Sequence, residues 1–303
     1  MPELPDVEAY LVALRERTLG QKLEGLRIGN PFLLRSVTPK PEALIGKAVQ
    51  GFERLGKRIV FAFESDLFSV LHLMIAGRLH WRKPGAGLPG KAGLAAWDFE
   101  AGSLVLTEAG SQRRASLHLV QGRKGLAEHA RGGAEIDSLD LAGFARILRS
   151  ENHTIKRSLQ DPRLFSGIGN AYSDEILHRA RLSPLLWTER MTDEQIATLF
   201  DATRAVLGEW RERLCAEARV AFPEKVTAFR PDMAVHGRYQ KPCPVCGDPV
   251  QRIVYASRET NYCPTCQTGG KLLADRALSA LLKKDWPRSL EELERHMDRH
   301  RGE

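Results

Sequence analysis

The stretch Met1-Pro2-Glu3-Leu4-Pro5-Asp6-Val7-Glu8 decides how the rest of the chain is read. A start methionine ahead of a small residue such as proline is normally removed, which would leave Pro2 with a free secondary α-amine. Such an amine has an ordinary pKa of about 8, far below that of lysine, so part of it is neutral and nucleophilic at physiological pH. A secondary amine that attacks a sugar aldehyde gives a cationic iminium, an electron sink for elimination. Glu3 stands beside it as a carboxyl group that can carry a proton. The same residues also read as an ordinary leader before a helix, and the two readings are separated by the remainder of the chain.

Beyond the leader, Val7, Tyr10, Leu11, Leu14 and Thr18 fall at helical spacing, with Asp6 as the expected N-cap and Gly20 as the stop. From Gln21 to about Val120 short apolar or alternating runs follow one another: Val49–Phe52, Arg58–Phe63, Leu67–Met74, Gly77–Trp81, Ala95–Phe99 and Leu104–Thr107. Turn residues separate them, and the spacing suits an antiparallel sandwich or flattened barrel. Lys57 lies in one such turn, as a cation aimed at a cleft or as a solvated turn lysine. His72 closes another run, as a functional or a rim histidine.

Gln121–Ser138 is rich in glycine and charge and reads as a linker. The period then becomes helical. Leu141, Phe144, Ile147 and Leu148 share a face behind Asp140, and Thr154–Gln160 forms a second helix before Asp161-Pro162. Phe165-Ser-Gly-Ile-Gly-Asn170-Ala-Tyr172 describes a tight turn that opens a helix to about Ala180. Backbone N–H groups there suit a phosphate, and Asn170 adds a side-chain donor; the turn is equally a plain connector. Thr192 to about Ala218 is a long helix with a capping box, Thr192 to Gln195.

Cys243-Pro-Val-Cys246 and Cys263-Pro-Thr-Cys266 enclose sixteen residues. Two C-x2-C knuckles at this separation present four thiolates to one tetrahedral Zn²⁺, with no open coordination position, so the metal is structural. Val250–Tyr262 alternates like a hairpin, with Arg258 near its tip, well suited to grip a phosphate. The chain has 303 residues, 43% hydrophobic, with net charge +7 and a pI near 9.3. That is enough for two cores and favours a polyanionic partner. No apolar run approaches a membrane span, and the cysteine usage points to a reducing compartment.

Together the start motif, the Gly167-Ile-Gly169-Asn170-Ala-Tyr172 turn and the zinc hairpin resemble the formamidopyrimidine-DNA glycosylase/endonuclease VIII family of base-excision repair enzymes. The Pro-Glu-Leu-Pro-Asp-Val-Glu start is closer to the formamidopyrimidine branch. The resemblance implies an α+β chain of two domains: an N-terminal helix plus antiparallel β-sandwich, then a helical helix–two-turn–helix domain with a C-terminal zinc β-hairpin. It sets a catalytic domain at 1–125, a linker at 126–138, a DNA-binding domain at 139–235, a zinc finger at 236–267 and a basic helical extension at 268–303. It implies a monomeric cytoplasmic enzyme, nucleoid-associated in a bacterium, that acts on damaged double-stranded DNA as a glycosylase and abasic-site lyase. Pro2 would attack C1′, Glu3 would shuttle the proton that opens the sugar, and Lys57 would contact phosphate near the lesion. His72, Arg113, Asn170 and Arg258 would hold DNA, and Cys243, Cys246, Cys263 and Cys266 one zinc ion. Glu175 matches a carboxylate near the active site.

Four departures from the family pattern matter. Ile75 takes the place of a methionine wedge. Asp-Pro-Arg-Arg-Phe reads Ser111-Gln112-Arg113-Arg114-Ala115, so Arg113 can still fill the space of a flipped base while Ala115 cannot stack. The Val220–Met233 loop is shortened, which weakens the expectation of an oxidised-purine preference. Residues 268–303 extend past the usual end and carry Leu272, Leu273, Leu278, Leu281, Leu282, Leu290, Leu293 and His296. These departures would also fit a non-catalytic protein that binds damaged DNA. A small-molecule enzyme using N-terminal proline as a base fits the zinc hairpin and basic balance poorly.

Overall fold

A computed structural model describes residues 1–110, 112–255, 258–274, 286–293 and 295, with Tyr255 and Arg258 described in their backbone only. Ser111, Ser257, Leu278, Leu281, Leu282 and His296 lie outside the described residues. The chain divides into two compact units: Met1–Gly133 with Leu207–Thr227, and Ala134–Val206 with the described residues from Ala228 onward.

In the first unit helix α1 (Leu4–Thr18) precedes eight strands: β1 (Gly25–Ile28), β2 (Val49–Leu55), β3 (Arg58–Phe63), β4 (Leu67–His72), β5 (Gly77–Arg82), β6 (Gly93–Phe99), β7 (Gly102–Glu108) and β8 (Ser116–Gln121). They pair antiparallel in two four-stranded sheets, β1-β6-β7-β5 and β2-β3-β4-β8. The period of two explains β3. Ile59, Phe61 and Phe63 enter the core between the sheets, while Val60 and Ala62 meet Leu126 on the other face. Leu126 belongs to α2 (Gly122–Ala127), a helix inside the stretch expected to be linker. It forms because the outer face of β3, β4 and β8 carries Val60, Phe68, Val70 and Val120, which need cover. At the centre of the core the Trp97 ring stacks on Phe61, centroids 5.8 Å apart, and Phe52 meets Phe61 edge-on at 4.9 Å.

Helix α1 starts earlier than Asp6 predicts. Glu3 is its N-cap, and the Glu3 N–H donates to the Asp6 carboxylate at 2.9 Å. Prolines fit here because first-turn N–H groups have no partner within the helix. Val7, Tyr10, Leu11 and Leu14 enter the sandwich core, while Ala9 and Ala13 pack on Leu214 and Ala218. Those last two belong to a long helix, Asp193–Val220, whose later part lies in this first unit. The expected division at 139–235 takes in the whole helix; the small residues Ala9 and Ala13 are what let its later part approach α1.

In the second unit, α3 (Leu141–Leu148) is capped as expected, with Gly143 N–H donating to Asp140 at 2.7 Å. Helices α4 (Ile155–Gln160) and α5 (Asn170–Arg179) flank the glycine turn, and the long helix becomes α6. Its capping box is present: Thr192 N–H donates to Gln195 Oε1 at 3.1 Å and Gln195 N–H to Thr192 Oγ1 at 3.2 Å. The hairpin is β9 (Gln251–Tyr255) against β10 (Arg258–Tyr262), followed by the short helix α7 (Pro264–Thr268). Where a helical extension was expected, Lys271 pairs with Ser289 in an antiparallel bridge before Leu290–Leu293 turn helical.

Trp97→Ala should lower stability by about 3–5 kcal/mol, read as the denaturation midpoint, because the cavity lies between both sheets. A loss below about 1 kcal/mol would mean that the stacked centre does not carry the core.

Candidate active site, metal site and nucleic-acid contacts

Pro2 and Glu3 are buried at the start of α1, Glu3 with 2% of its surface exposed. The terminal amine at Met1 is held below its ordinary value, chiefly by burial, with the Glu3 and Asp6 carboxylates opposing and Arg78 and Lys57 assisting. Lys57 stands in the β2–β3 turn after Gly56, whose φ of +64° suits a residue without Cβ. Burial also depresses the Lys57 amine, and the Glu3 carboxylate opposes that. The first unit thus brings the N-terminus, Glu3 and Lys57 into one electrostatic neighbourhood. Arg78 joins them from β5, its guanidinium donating to the carbonyls of Gly77 at 2.7 Å and Ile75 at 3.1 Å. Nothing in its local sequence singles it out; only the pairing of β5 places it here.

His72 ends β4, opposite Arg58 on β3 and Ser116 on β8. Burial first, then Arg58, Lys57, Arg131 and His118, pulls its pKa from 6.5 to about 4. Beyond it the chain turns sharply: Met74 has φ +53° and a Cβ on Gly77 would sit 2.3 Å from the Leu73 carbonyl. Ile75 projects from this turn, 59% exposed. Arg113 is exposed on the segment after β7. That segment is anchored by buried Glu108, whose carboxylate accepts Arg114 N–H at 3.1 and 3.0 Å and Ala115 N–H at 3.0 Å. Ala115 lies in the sandwich core. The segment after α6 is pinned as well: Val226 is in the core, and Glu224 accepts two bonds from Arg82 and lies 2.6 Å from His80 Nδ1.

In the second unit, Gly167 takes φ +82° and Gly169 caps α5. The Asn170 amide donates to the Glu259 carbonyl at 2.8 Å and accepts from Gln160 at 3.1 Å, which ties the glycine turn to the strand that begins with Arg258. Two carboxylates of α5 hold the rest. Asp174 is fully buried, 2.6 Å from Lys156 Nζ and 2.7 Å from His236 Nδ1. Glu175 accepts N–H bonds from Ala234, Val235 and His236 at 2.7–2.9 Å; burial pushes its pKa up while these bonds pull it down. Glu175 therefore anchors the segment ahead of the hairpin. The partners at Ala234, Val235 and His236 lie 59–62 positions away, beyond the reach of any local sequence signal.

The four cysteine Sγ atoms lie within 4.8 Å of one another. Each knuckle turns one backbone N–H toward its own first thiol, Val245 to Cys243 and Cys266 to Cys263, both at 3.5 Å. His178 Nε2 lies 3.3 Å from Cys243 Sγ and orients it. Four convergent sulfurs among which no disulfide forms suit tetrahedral zinc.

A helix-led antiparallel sandwich and a helical unit with a four-thiol hairpin is the build of the helix–two-turn–helix DNA glycosylases. Residues 1–118 match the formamidopyrimidine-DNA glycosylase N-terminal domain, 133–212 the H2TH domain of that enzyme, and 240–269 a zinc finger found in FPG and IleRS. The formamidopyrimidine-DNA glycosylase of Thermus thermophilus is 34% identical over 279 residues, covering 89% of this chain and all of that protein. An uncharacterized formamidopyrimidine-DNA glycosylase-like protein of Mycobacterium tuberculosis is 42% identical over 150 residues, covering 49% of this chain and 90% of that one. A Lactococcus lactis FPG mutant solved with a Fapy-dG containing DNA superposes with a TM-score of 0.77 at 26% identity, over 88% of this chain and 100% of that one. The chain belongs to the formamidopyrimidine-DNA glycosylase family, and Cys243, Cys246, Cys263 and Cys266, four of its five cysteines, hold one structural zinc ion.

Cys246→Ser should lose stoichiometric zinc and lower the melting temperature, read by metal analysis and calorimetry; a variant that keeps full zinc would remove Cys246 from the ligand set. The His72 imidazole has a folded value near 4 against 6.5 when unfolded. Its contribution is complete above about 6.5 and is lost as pH falls toward 4, because the unfolded chain takes up the proton first. His72→Gln should therefore flatten the fall in melting temperature between pH 7 and 4.5; an unchanged slope would show that His72 titrates normally.

Proposed function

We propose that this protein excises a damaged base from double-stranded DNA and then cleaves the abasic strand, with Pro2 as nucleophile. The observation that carries the reading is the buried chain start. The amine at Met1 is already depressed by burial, and Pro2, one residue further in, is buried more fully. Once Met1 is removed, the Pro2 amine lies where its neutral, nucleophilic form is favoured. Its lone pair attacks C1′ and the C1′–N bond to the base breaks, the base leaving with its electron pair and taking up the proton that the Pro2 nitrogen gives up. The Glu3 carboxyl supplies a proton to the ring oxygen as the C1′–O4′ bond opens and the iminium forms. Loss of a C2′ proton with departure of the 3′ phosphate completes β-elimination; a second elimination at the 5′ side would complete β,δ-elimination. Asp6, by accepting the Glu3 N–H, fixes the backbone from which both groups project.

Lys57 and His72 would meet phosphates from the first unit, Asn170 and Arg258 from the second. Arg113 would enter the space of the flipped base, with Ile75 as the apolar wedge. Asn170 already holds β10 through Glu259, so its role combines fixing the hairpin with lining the phosphate site. The zinc, held by Cys243, Cys246, Cys263 and Cys266, stiffens the hairpin. In this reading residues 1–125 form the catalytic part, 139–235 the helical DNA-binding part and 236–267 the zinc finger, and the protein works as a cytoplasmic monomer. No described helix is long and apolar enough to cross a membrane.

Borohydride trapping on a duplex with one abasic site tests the reading. Pro2→Gly should give no trapped adduct, and an adduct that persists would move the nucleophile elsewhere. Glu3→Gln should slow base excision by about 10²-fold or more while preformed abasic sites are still nicked; unchanged excision would remove Glu3 from the proton transfer.

A further inference from the structure

The outer face of the sheet β2-β3-β4-β8 ends in a cluster of basic side chains. Register and alternation place them. Arg58 and His72 are directly paired, and His118, opposite Val70, lies on the next diagonal of the same face. The apolar part of that face is covered by α2. The chain leaving α2 returns His129 and Arg131 to the exposed end. The His118 and His129 rings are 4.6 Å apart, tilted by 57°. Arg35 also faces His118, and Lys57 faces His72. The acid facing this group is Glu128, beside His129. Among the described residues, the side chains of Arg35, Arg58, His72, His118 and Arg131 make no hydrogen bond or ion pair.

Arg58, His72, His118 and His129 are partly buried with Arg35 and Arg131 exposed beside them, and so many basic groups gathered against Glu128 as the facing acid raise the free energy of the unliganded protein. The strain shows in the imidazoles: burial first, then their cationic neighbours, lowers His72, His118 and His129 together. Two rings in contact cannot both carry a proton at low cost unless an anion lies beside them. An anion that is always available to a DNA-binding surface is the backbone phosphate.

We propose that Arg58, His72, His118, His129 and Arg131 form one phosphodiester site, in which His118, His129 and Arg131 extend the backbone grip beyond the Lys57–His72 contact. The inference rests on the DNA-binding reading above. Its particular consequence is proton-linked binding: the phosphate raises the imidazoles, so the complex takes up protons that the free protein does not hold. Affinity therefore rises as pH falls from 8 to 6.

The test uses the full zinc-loaded chain and a duplex carrying one tetrahydrofuran abasic analogue, with Kd measured by fluorescence anisotropy at pH 6 and pH 8 at fixed salt. The native protein should bind about 10-fold tighter at pH 6, the weight of one charge-assisted contact. The double variant His118→Gln, His129→Gln should lose that gain and show a flat pH profile. Arg131→Gln should weaken binding at both pH values and reduce the slope of log Kd against log salt by about 1. A scan of single methylphosphonates should find one position that weakens the native protein and leaves the double variant unaffected. A folded double variant with native affinity, pH profile and scan would overturn the proposal; if that variant does not fold, Arg131→Gln with an unchanged salt slope would overturn it. Histidine NMR shifts that saturate with millimolar inorganic phosphate, with no methylphosphonate effect, would reassign the site to free phosphate and overturn the backbone grip. A native protein that neither binds the duplex nor gives a trapped adduct would overturn the function reading itself, an outcome distinct from loss of this site alone.

Discussion

The burial of α1 on two sides is the constraint on which the first unit depends. One stripe of the helix, Val7, Tyr10, Leu11 and Leu14, enters the sandwich core, and another, Ala9 and Ala13, receives α6. Arg54 reaches Glu8 at 2.8 Å and Arg15 reaches the Phe52 carbonyl at 2.9 Å, so polar contacts to β2 close the remaining arc. Chain ends ordinarily fray. Here the first turn is held by its own cap and by a helix that is buried along most of its surface, only Arg15 and Glu16 standing exposed near its end, so the chain start is fixed in place.

The second unit solves a different problem with buried charge. Lys156, Asp174 and His236 come from α4, α5 and the segment before the hairpin, and Asn261 of β10 adds a third partner to Asp174 at 3.4 Å. Such groups add little net stability over an apolar core of the same volume, and what they fix is arrangement. With Glu175 gripping three successive N–H groups and Asn170 holding β10, the helices and the zinc hairpin of this unit are tied through directional bonds.

Periodicity made most of the fold legible. The strand runs from Val49 to Thr107, the Asp140 cap, the Thr192–Gln195 box and the hairpin all stand where local pattern put them. Cysteine spacing made the metal site legible for the same reason, since each knuckle is a local structure. What escaped was non-local. The start of α1 moved to Leu4 because capping is decided by which carboxylate faces the N-cap amide, and here Asp6 does so from inside the helix. Helix α2 replaced part of a linker because the far face of a sheet needed cover. Arg78 and Asp174 acquire meaning only through strand register or contacts far along the chain, and Glu108 and the His118–His129 pair through the way a short segment folds back, which composition does not encode.

Glu108 has a consequence for how this family member can change. Its carboxylate holds the segment after β7 by amide hydrogens of Arg114 and Ala115, groups that every residue except proline possesses. The grip is therefore blind to the side chains of the residues it holds, and exposed Gln112 and Arg113 just ahead of it take no part in the sandwich core, while Gly110 with φ +104° makes the turn. A loop anchored in this way can exchange the residues it shows to a partner while its base stays in register. At Gln112 the departure from the family pattern is the kind of drift that such an anchor permits: an exposed side chain can change there without refolding the sandwich beneath it.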